Sequence, residues 1–266
     1  VKQRDRQAHG AMEDRARQRR ALLAGGLASL LLAGCRPRIR SPNEIVVGSS
    51  PTGVPFSFID PATNLFTGSM VETAEAICGG LHLSTDVRIT PFSALIPSLL
   101  ANKIDIIAAA LLRTPEREKI VGFSDPVFHY SGALVVHRED RRPFPNLAAA
   151  RDLRVGGQVG TRFIEQLREA GVTQVSTYES ISDMLRDLDH GRLDAAYGDD
   201  PIIRYQLRVG PRRNAMIAEG FVAPAREELC LVLRRGDPLL PSVNTVIARL
   251  GKSVIPSINR RWGLTA

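Results

Sequence analysis

The sequence predicts an α/β protein of two lobes, each an open, mostly parallel sheet with helices on both faces, joined by a two-strand hinge. Three observations carry this expectation. Short apolar runs alternate with amphipathic stretches along the 266 residues, which is the pattern of successive βαβ units. A polar break over 138–145 divides the alternation into two series. The hydrophobic share of 44% is that of a chain that buries a substantial core.

Residues 44–49 (EIVVGS) read as a first strand, closed by the Pro/Gly turn 51–55 and followed by Phe56-Ser57-Phe58. A turn over 64–68 leads into a helix over 69–79, whose Val71, Ala74, Ile77 and Cys78 fall on one stripe. A strand over 86–90, a helix over 93–101 and a buried strand over 104–107 complete the first series. Thr114 then stands where a helix N-cap belongs, Pro115 takes the first helical position and Arg117 lies in the first turn. A strand over 132–137 precedes the break. The second series reads as a short helix at 147–150, a strand at 153–157 and a helix at 162–170 opened by Gly160-Thr161. It continues with a strand at 174–178, a helix at 181–190 and a strand at 193–197 that ends in Gly198-Asp199-Asp200-Pro201. A helix over 201–209, a strand over 228–234 and helices over 239–250 and 254–262 finish the chain, with the lobe-to-lobe strands expected near 128–132 and 221–224.

A formal charge of +7 invites a nucleic-acid reading until it is located. Residues 1–34 hold seven basic and three acidic groups, so only +3 is left for the rest, where arginines are scattered rather than gathered in a patch. Nucleic-acid binding is not expected. The apolar run 21–34 follows Arg19-Arg20; as a helix its fourteen residues rise only ~21 Å, short of the ~30 Å hydrocarbon core, so it reads as a signal-peptide core rather than a span. Its end, Leu32-Ala33-Gly34-Cys35, resembles the lipobox of bacterial lipoproteins, in which cleavage precedes a cysteine that carries diacylglycerol. The expectation is a signal peptide over 1–34, lipidation at Cys35, a tether over 35–43, and membrane contact through that anchor alone. Cys78 and Cys230 read as buried free thiols. With no C-x-x-C and five scattered histidines, neither a metal nor another cofactor is expected.

Arg117 beside the free N–H groups of a helix start is placed to hold a carboxylate, through its guanidinium fork and the helix dipole. The motifs P-F-S-F at 55–58, L-I-P-S-L at 95–99, T-P-E-R at 114–117 and F-S-D-P at 123–126 occur in that order, followed by G-x-L-D-A at 191–195, R-x-G-D-P at 234–238 and R-W-G at 261–263. This series resembles the family-3 solute-binding proteins of polar amino-acid ABC importers over about 44–264. The resemblance implies a type II periplasmic-binding-protein-like fold, with 44–131 and 223–266 in one lobe and 132–222 in the other. It also implies a periplasmic, monomeric protein that closes on a small-molecule ligand and delivers it to an ABC permease in the inner membrane, with no chemistry of its own. By the same resemblance Arg117 holds the ligand's α-carboxylate, Asp199 pairs its ammonium, Thr161 offers N–H groups and a hydroxyl to the carboxylate, and Phe92 lines the side-chain end of the pocket.

The chain departs from the family pattern at several of these places. Gly53 replaces a stacking aromatic, Leu112 replaces a Ser or Thr, and Ala110 occupies a place often held by Gly or Ser. Arg162 adds a cation after Thr161. Losing a hydroxyl donor costs a carboxylate ligand about 1 kcal/mol or more, so the departures point to a more acidic or more apolar organic acid, its anionic end shared by Arg117 and Arg162. From the residues alone, Asp199 could instead cap the helix after it, and Phe92 could be ordinary core. Two rival functions use the same scaffold: a cyclohexadienyl-dehydratase-like enzyme enlisting Asp199, Asp200 and Arg162, and a lipoprotein that senses its ligand.

Overall fold

The apolar run at Ile45, Val46 and Val47 forms the middle of β1 (Glu44–Ser49), which is covered on both faces. The computed structural model describes residues 41, 43–210 and 214–264; the expected signal peptide, Cys35 and residues 35–40 and 42 of the tether lie outside the described residues. After β1 come three short antiparallel strands, β2 (Thr52–Gly53), β3 (Ser57–Ile59) and β4 (Phe66–Thr67), which form a small separate sheet. Helix α1 (Ser69–Gly80) then crosses to β5 (Ser84–Ile89), which pairs parallel with β1. A 3-10 turn at Phe92–Ala94 and α2 (Leu95–Leu100) return the chain to β6 (Ile106–Ile107) on the other side of β1, again parallel. One turn of helix, α3 (Pro115–Glu118), follows.

β7 (Val121–His137) is 17 residues long, whereas the apolar pattern exposes only its last six. The pattern breaks at Pro126, which has no N–H to give to a ladder. Its partner strand β12 (Arg226–Arg234) accommodates this by shifting register between Leu229 and Cys230 and again between Cys230 and Val232. The second series then runs β8 (Arg154–Gln158), α4 (Arg162–Glu169), β9 (Gln174–Tyr178), α5 (Ile181–Asp189), β10 (Ala195–Asp199) and α6 (Asp200–Val209). The three-residue strand β11 (Ala215–Ile217), too short for any periodicity, adds to the edge of β7. After β12, α7 (Leu240–Leu250) packs on α1 and β7, and α8 (Val254–Arg261) also packs on α1. There the Trp262 Nε1–H donates to Glu72 Oε1 at 3.0 Å.

The strand order β5-β1-β6-β12-β7-β10-β8-β9 describes two sheets that share β7. On the first, β12 follows the Val121–Ser131 stretch of β7; on the second, β10 takes up the pairing at Gly132. This is the expected two-lobed α/β architecture. One strand is displaced from expectation: 221–224 is not a strand, and the return crossing belongs to the first residues of β12, paired as Arg226 with Ser131 and Glu227 with Tyr130. The sequence 221–225 (FVAPA) contains a proline and a run of small residues, which suits a loop better than a ladder. In both lobes the carboxyl ends of the parallel strands lead into the segments described next, where open α/β sheets place their ligand sites.

Candidate functional site

Thr114 caps α3 as its sequence implies: Thr114 Oγ1 accepts from the Arg117 N–H at 3.2 Å, and Pro115 fills the first helical position. That cap fixes the direction of the Arg117 side chain, which is only 8% exposed. Its Nη1 donates to Leu112 O at 2.5 Å, and its Nη2 reaches across to the other lobe, donating to Gly160 O at 2.7 Å. Burial draws its pKa down, while the charges of Glu165, Tyr130 and Asp199 oppose that pull. The group stays a cation, as arginine does in proteins.

Gly160 sits in the tight turn between β8 and α4 with φ +74°, a conformation that favours glycine. Thr161 is the N-cap residue of α4, but its side chain does not cap. Both its N–H (3.3 Å) and its hydroxyl (2.7 Å) donate to Gln158 O, so the hydroxyl expected to face a carboxylate is engaged within its own turn. A second link between the lobes runs from the buried Gln158, whose Nε2 donates to Thr52 Oγ1 at 3.3 Å and to Glu179 O at 2.9 Å.

Asp199, at the end of β10, is 2% exposed. Although it precedes α6, it makes no side-chain cap, which removes the helix-capping account of this residue. Its Oδ1 accepts instead from the Tyr130 hydroxyl on the hinge segment of β7. Burial pushes its carboxyl up from 3.8 to about 7, against the opposing pull of the Tyr130 hydrogen bond and of Arg117. The Tyr130 phenol is itself raised, by burial first and then by Asp199.

Arg162 does not serve as a second free cation. Its guanidinium donates to Glu165 at 3.1 Å and to both oxygens of Glu169 at 2.7 and 3.0 Å, and its Nε lies 3.9 Å from Glu227. The helical spacing of these acids on α4 draws the arginine back along its own helix. Leu112 is likewise not a pocket wall: its side chain is 2% exposed in the main core, and only its carbonyl meets Arg117. Ala110, 8% exposed, belongs to the same core. Phe92 packs with Leu95, Leu99 and Phe123, while its edge lies 3.9 Å from where a Cβ on Gly160 would be. It is thus part of the core and also meets the Gly160 turn. Gly53 faces α6, where a Cβ would lie 3.8 Å from Ile202 Cδ1.

The structure adds residues that the sequence reading missed. Tyr130 reaches Asp199. Behind it, the buried Tyr197 hydroxyl donates to Gln166 Oε1 at 2.7 Å, and Gln166 Nε2 donates to Glu227 Oε1 at 2.6 Å. Burial raises the Glu227 carboxyl, with Arg162 opposing. The available signal was weak: two tyrosines, a glutamine and a glutamate in segments otherwise apolar or helical. The assembled geometry is one buried cation and one buried acid, brought from opposite lobes to a junction closed by main-chain turns. It suits a small molecule with a carboxylate and a second polar group.

The family described as bacterial extracellular solute-binding proteins, family 3, matches residues 45–265. A putative ABC transporter arginine-binding protein 2 of Escherichia coli (strain K12) is 30% identical over 245 residues, covering 89% of this chain and 97% of the relative. Among solved structures, an ancestral arginine-binding protein bound to glutamine is similar with a TM-score of 0.77 at 26% identity, covering 84% of this chain and 99% of the other. The ancestral amino acid-binding protein AncCDT-1, a precursor of cyclohexadienyl dehydratase, gives a TM-score of 0.74 at 25% identity, covering 83% and 95%.

Proposed function

Because the chain belongs to the bacterial extracellular solute-binding proteins of family 3, we propose that it captures a small carboxylate-bearing solute, an amino acid or a related organic acid, between its two lobes. In this reading 44–131 with 223–266 form one lobe, 132–222 the other, and they swing about the shared strands. The single observation that carries it is the meeting of Arg117 with the Gly160-Thr161 turn across the lobes, within Coulombic reach of the buried Asp199. Arg117 would exchange its two main-chain carbonyls for the solute's carboxylate, a charge-assisted and bidentate partner. The start of α4 would add N–H groups from the second lobe. Asp199 would meet the second polar group. The closed form would dock on an ABC permease in the inner membrane, with the protein monomeric and held outside that membrane by lipid on Cys35.

Binding rather than catalysis is the reading that the side chains favour. Arg162 and Asp200, which a dehydratase would enlist as anion clamp and acid, are occupied: Arg162 by Glu165 and Glu169, and Asp200 by the Arg204 Nε at 2.8 Å. A thermal-shift screen of the purified protein against amino acids, dicarboxylates and aromatic acids tests the proposal. A ligand at ~100 times its Kd stabilises the fold by about 2.7 kcal/mol, enough to move the transition visibly. Silence from every carboxylate, or a shift that survives Arg117→Ala, would sink it.

A further inference from the structure

Both charges at the junction already have partners inside the chain, and the two partners differ in kind. Arg117 is held by main-chain oxygens, each through one hydrogen bond. Asp199 is held by a side chain that has little freedom to leave. The Tyr130 ring is 6% exposed and belongs to a cluster of three, stacked on Phe56 with centroids 5.2 Å apart and planes at 29° and on Phe128 at 6.2 Å and 28°, while Phe56 and Phe128 meet each other at 6.2 Å. Turning the phenol away would break both ring contacts and open a gap at the hinge. The packed ring therefore keeps the phenol oxygen within hydrogen-bond reach of Asp199 Oδ1.

This arrangement discriminates between second polar groups. An α-ammonium brings three N–H donors and a charge into a desolvated place, and needs an ionised carboxylate with free acceptor sites. Of the roughly four lone-pair sites of the Asp199 carboxylate, Tyr130 fills one and the residue's own N–H another, which leaves too few for three donors. The other acids nearby are engaged as well: Glu227 accepts from Gln166 and lies beside Arg162, Glu165 is bound by Arg162, and Asp200 by Arg204. A hydroxyl or oxo oxygen brings no charge and needs one hydrogen bond from or to the Asp199–Tyr130 pair. A hydroxyl donates to a lone pair of the phenol oxygen or of Asp199 Oδ2, whereas an oxo oxygen, an acceptor only, takes its hydrogen bond from Asp199 Oδ2 when that acid carries the proton its burial favours.

We infer that Tyr130 is a specificity-determining residue that turns the cleft from α-amino acids toward carboxylic acids bearing a hydroxyl or oxo oxygen on the adjacent carbon. The inference rests on the carboxylate reading of Arg117 given above and deepens it by naming the substrate class.

Calorimetric titration of the full chain with matched triples tests it: phenylalanine, phenyllactate and phenylpyruvate; leucine and its 2-hydroxy and 2-oxo counterparts; glutamate, 2-hydroxyglutarate and 2-oxoglutarate. In the best-binding triple an oxygen acid binds at least about tenfold tighter than its amino acid, the scale of one hydrogen bond to a charged group. Tyr130→Phe keeps the stacked ring, removes the hydroxyl and shrinks that ratio by at least about tenfold, with folding checked by thermal unfolding. A purely structural role for Tyr130 would weaken all members of a triple alike and leave the ratio unmoved, which overturns the inference. An amino acid that binds tighter than its oxygen counterparts in the unmodified chain overturns it too, leaving the carboxylate reading intact. Absence of binding throughout, in folded protein, overturns the carboxylate reading and this inference with it.

Discussion

Replacing Asp199 by asparagine isolates the energetic consequence of burying an acid at the lobe junction. The carboxyl is pushed from 3.8 to about 7, chiefly by burial. That gap corresponds to roughly 4 kcal/mol of preference for the protonated form in the folded chain. The direction follows from proton binding. Between about pH 4 and pH 7 the folded chain keeps a proton that the unfolded chain has released, so this residue's contribution is fully present below 4 and lost as the pH rises through 7. Asparagine keeps an acceptor for the Tyr130 hydroxyl and cannot ionise. The stability of Asp199→Asn minus that of the unmodified chain should therefore climb with pH, by up to roughly 4 kcal/mol between pH 4 and pH 8. The other carboxylates titrate alike in both proteins and cancel. Urea unfolding at closely spaced pH values, with the free energies subtracted at each, gives the curve directly. A flat difference would refute the argument that the acid is buried without adequate compensation. A falling one would mean that Arg117 stabilises the ionised form more than burial destabilises it. Retaining an acid at this cost is what a site for a polar solute requires, and a core does not.

Arg117→Ala removes the cation and the bond to Gly160 together; calorimetry should show carboxylate binding weakened by at least about a hundredfold, since truncating one partner of a buried charged pair costs ~2–5 kcal/mol. Gly160→Ala should lower stability by about 1 kcal/mol through its φ of +74°, because the added methyl itself meets only ordinary contacts at 3.7 Å; the denaturant midpoint reads this out. Leu112→Ser, which by family pattern would restore a hydroxyl donor, should instead destabilise the fold by about 3 kcal/mol as a core truncation, with no gain in affinity, as unfolding and titration on the same sample would show.

The elements were largely legible because burial on both faces leaves strands as apolar runs, and α3 because its cap is written within four consecutive residues. The site was legible only in part. Arg117 announces itself locally, but nothing in the spacing of the chain brings Asp199 beside it; that expectation came from resemblance to a family. Arg162 and Leu112 are departures from the family pattern matched only by order along the chain, while each side chain answers to its neighbours. Glu165 and Glu169 on one helix claimed the arginine, and the core claimed the leucine.

Tyr130 was hidden for a different physical reason. The hinge strand expected near 128–132 already contains Tyr130, but Pro126 interrupts the alternation, and nothing in the apolar pattern shows which face of that strand the phenol takes. The register shifts of β12 absorb the proline and let the ladder run on. Because Gly132 is paired with Asp199, continuing the same strand two residues back sets Tyr130 on the same face as Gly132 and within reach of that acid. The continuity of the hinge strand through a proline is thus what couples the hinge to the site. A change that restarted β7 at Gly132 would free the phenol from Asp199 even with every residue of the cleft unchanged.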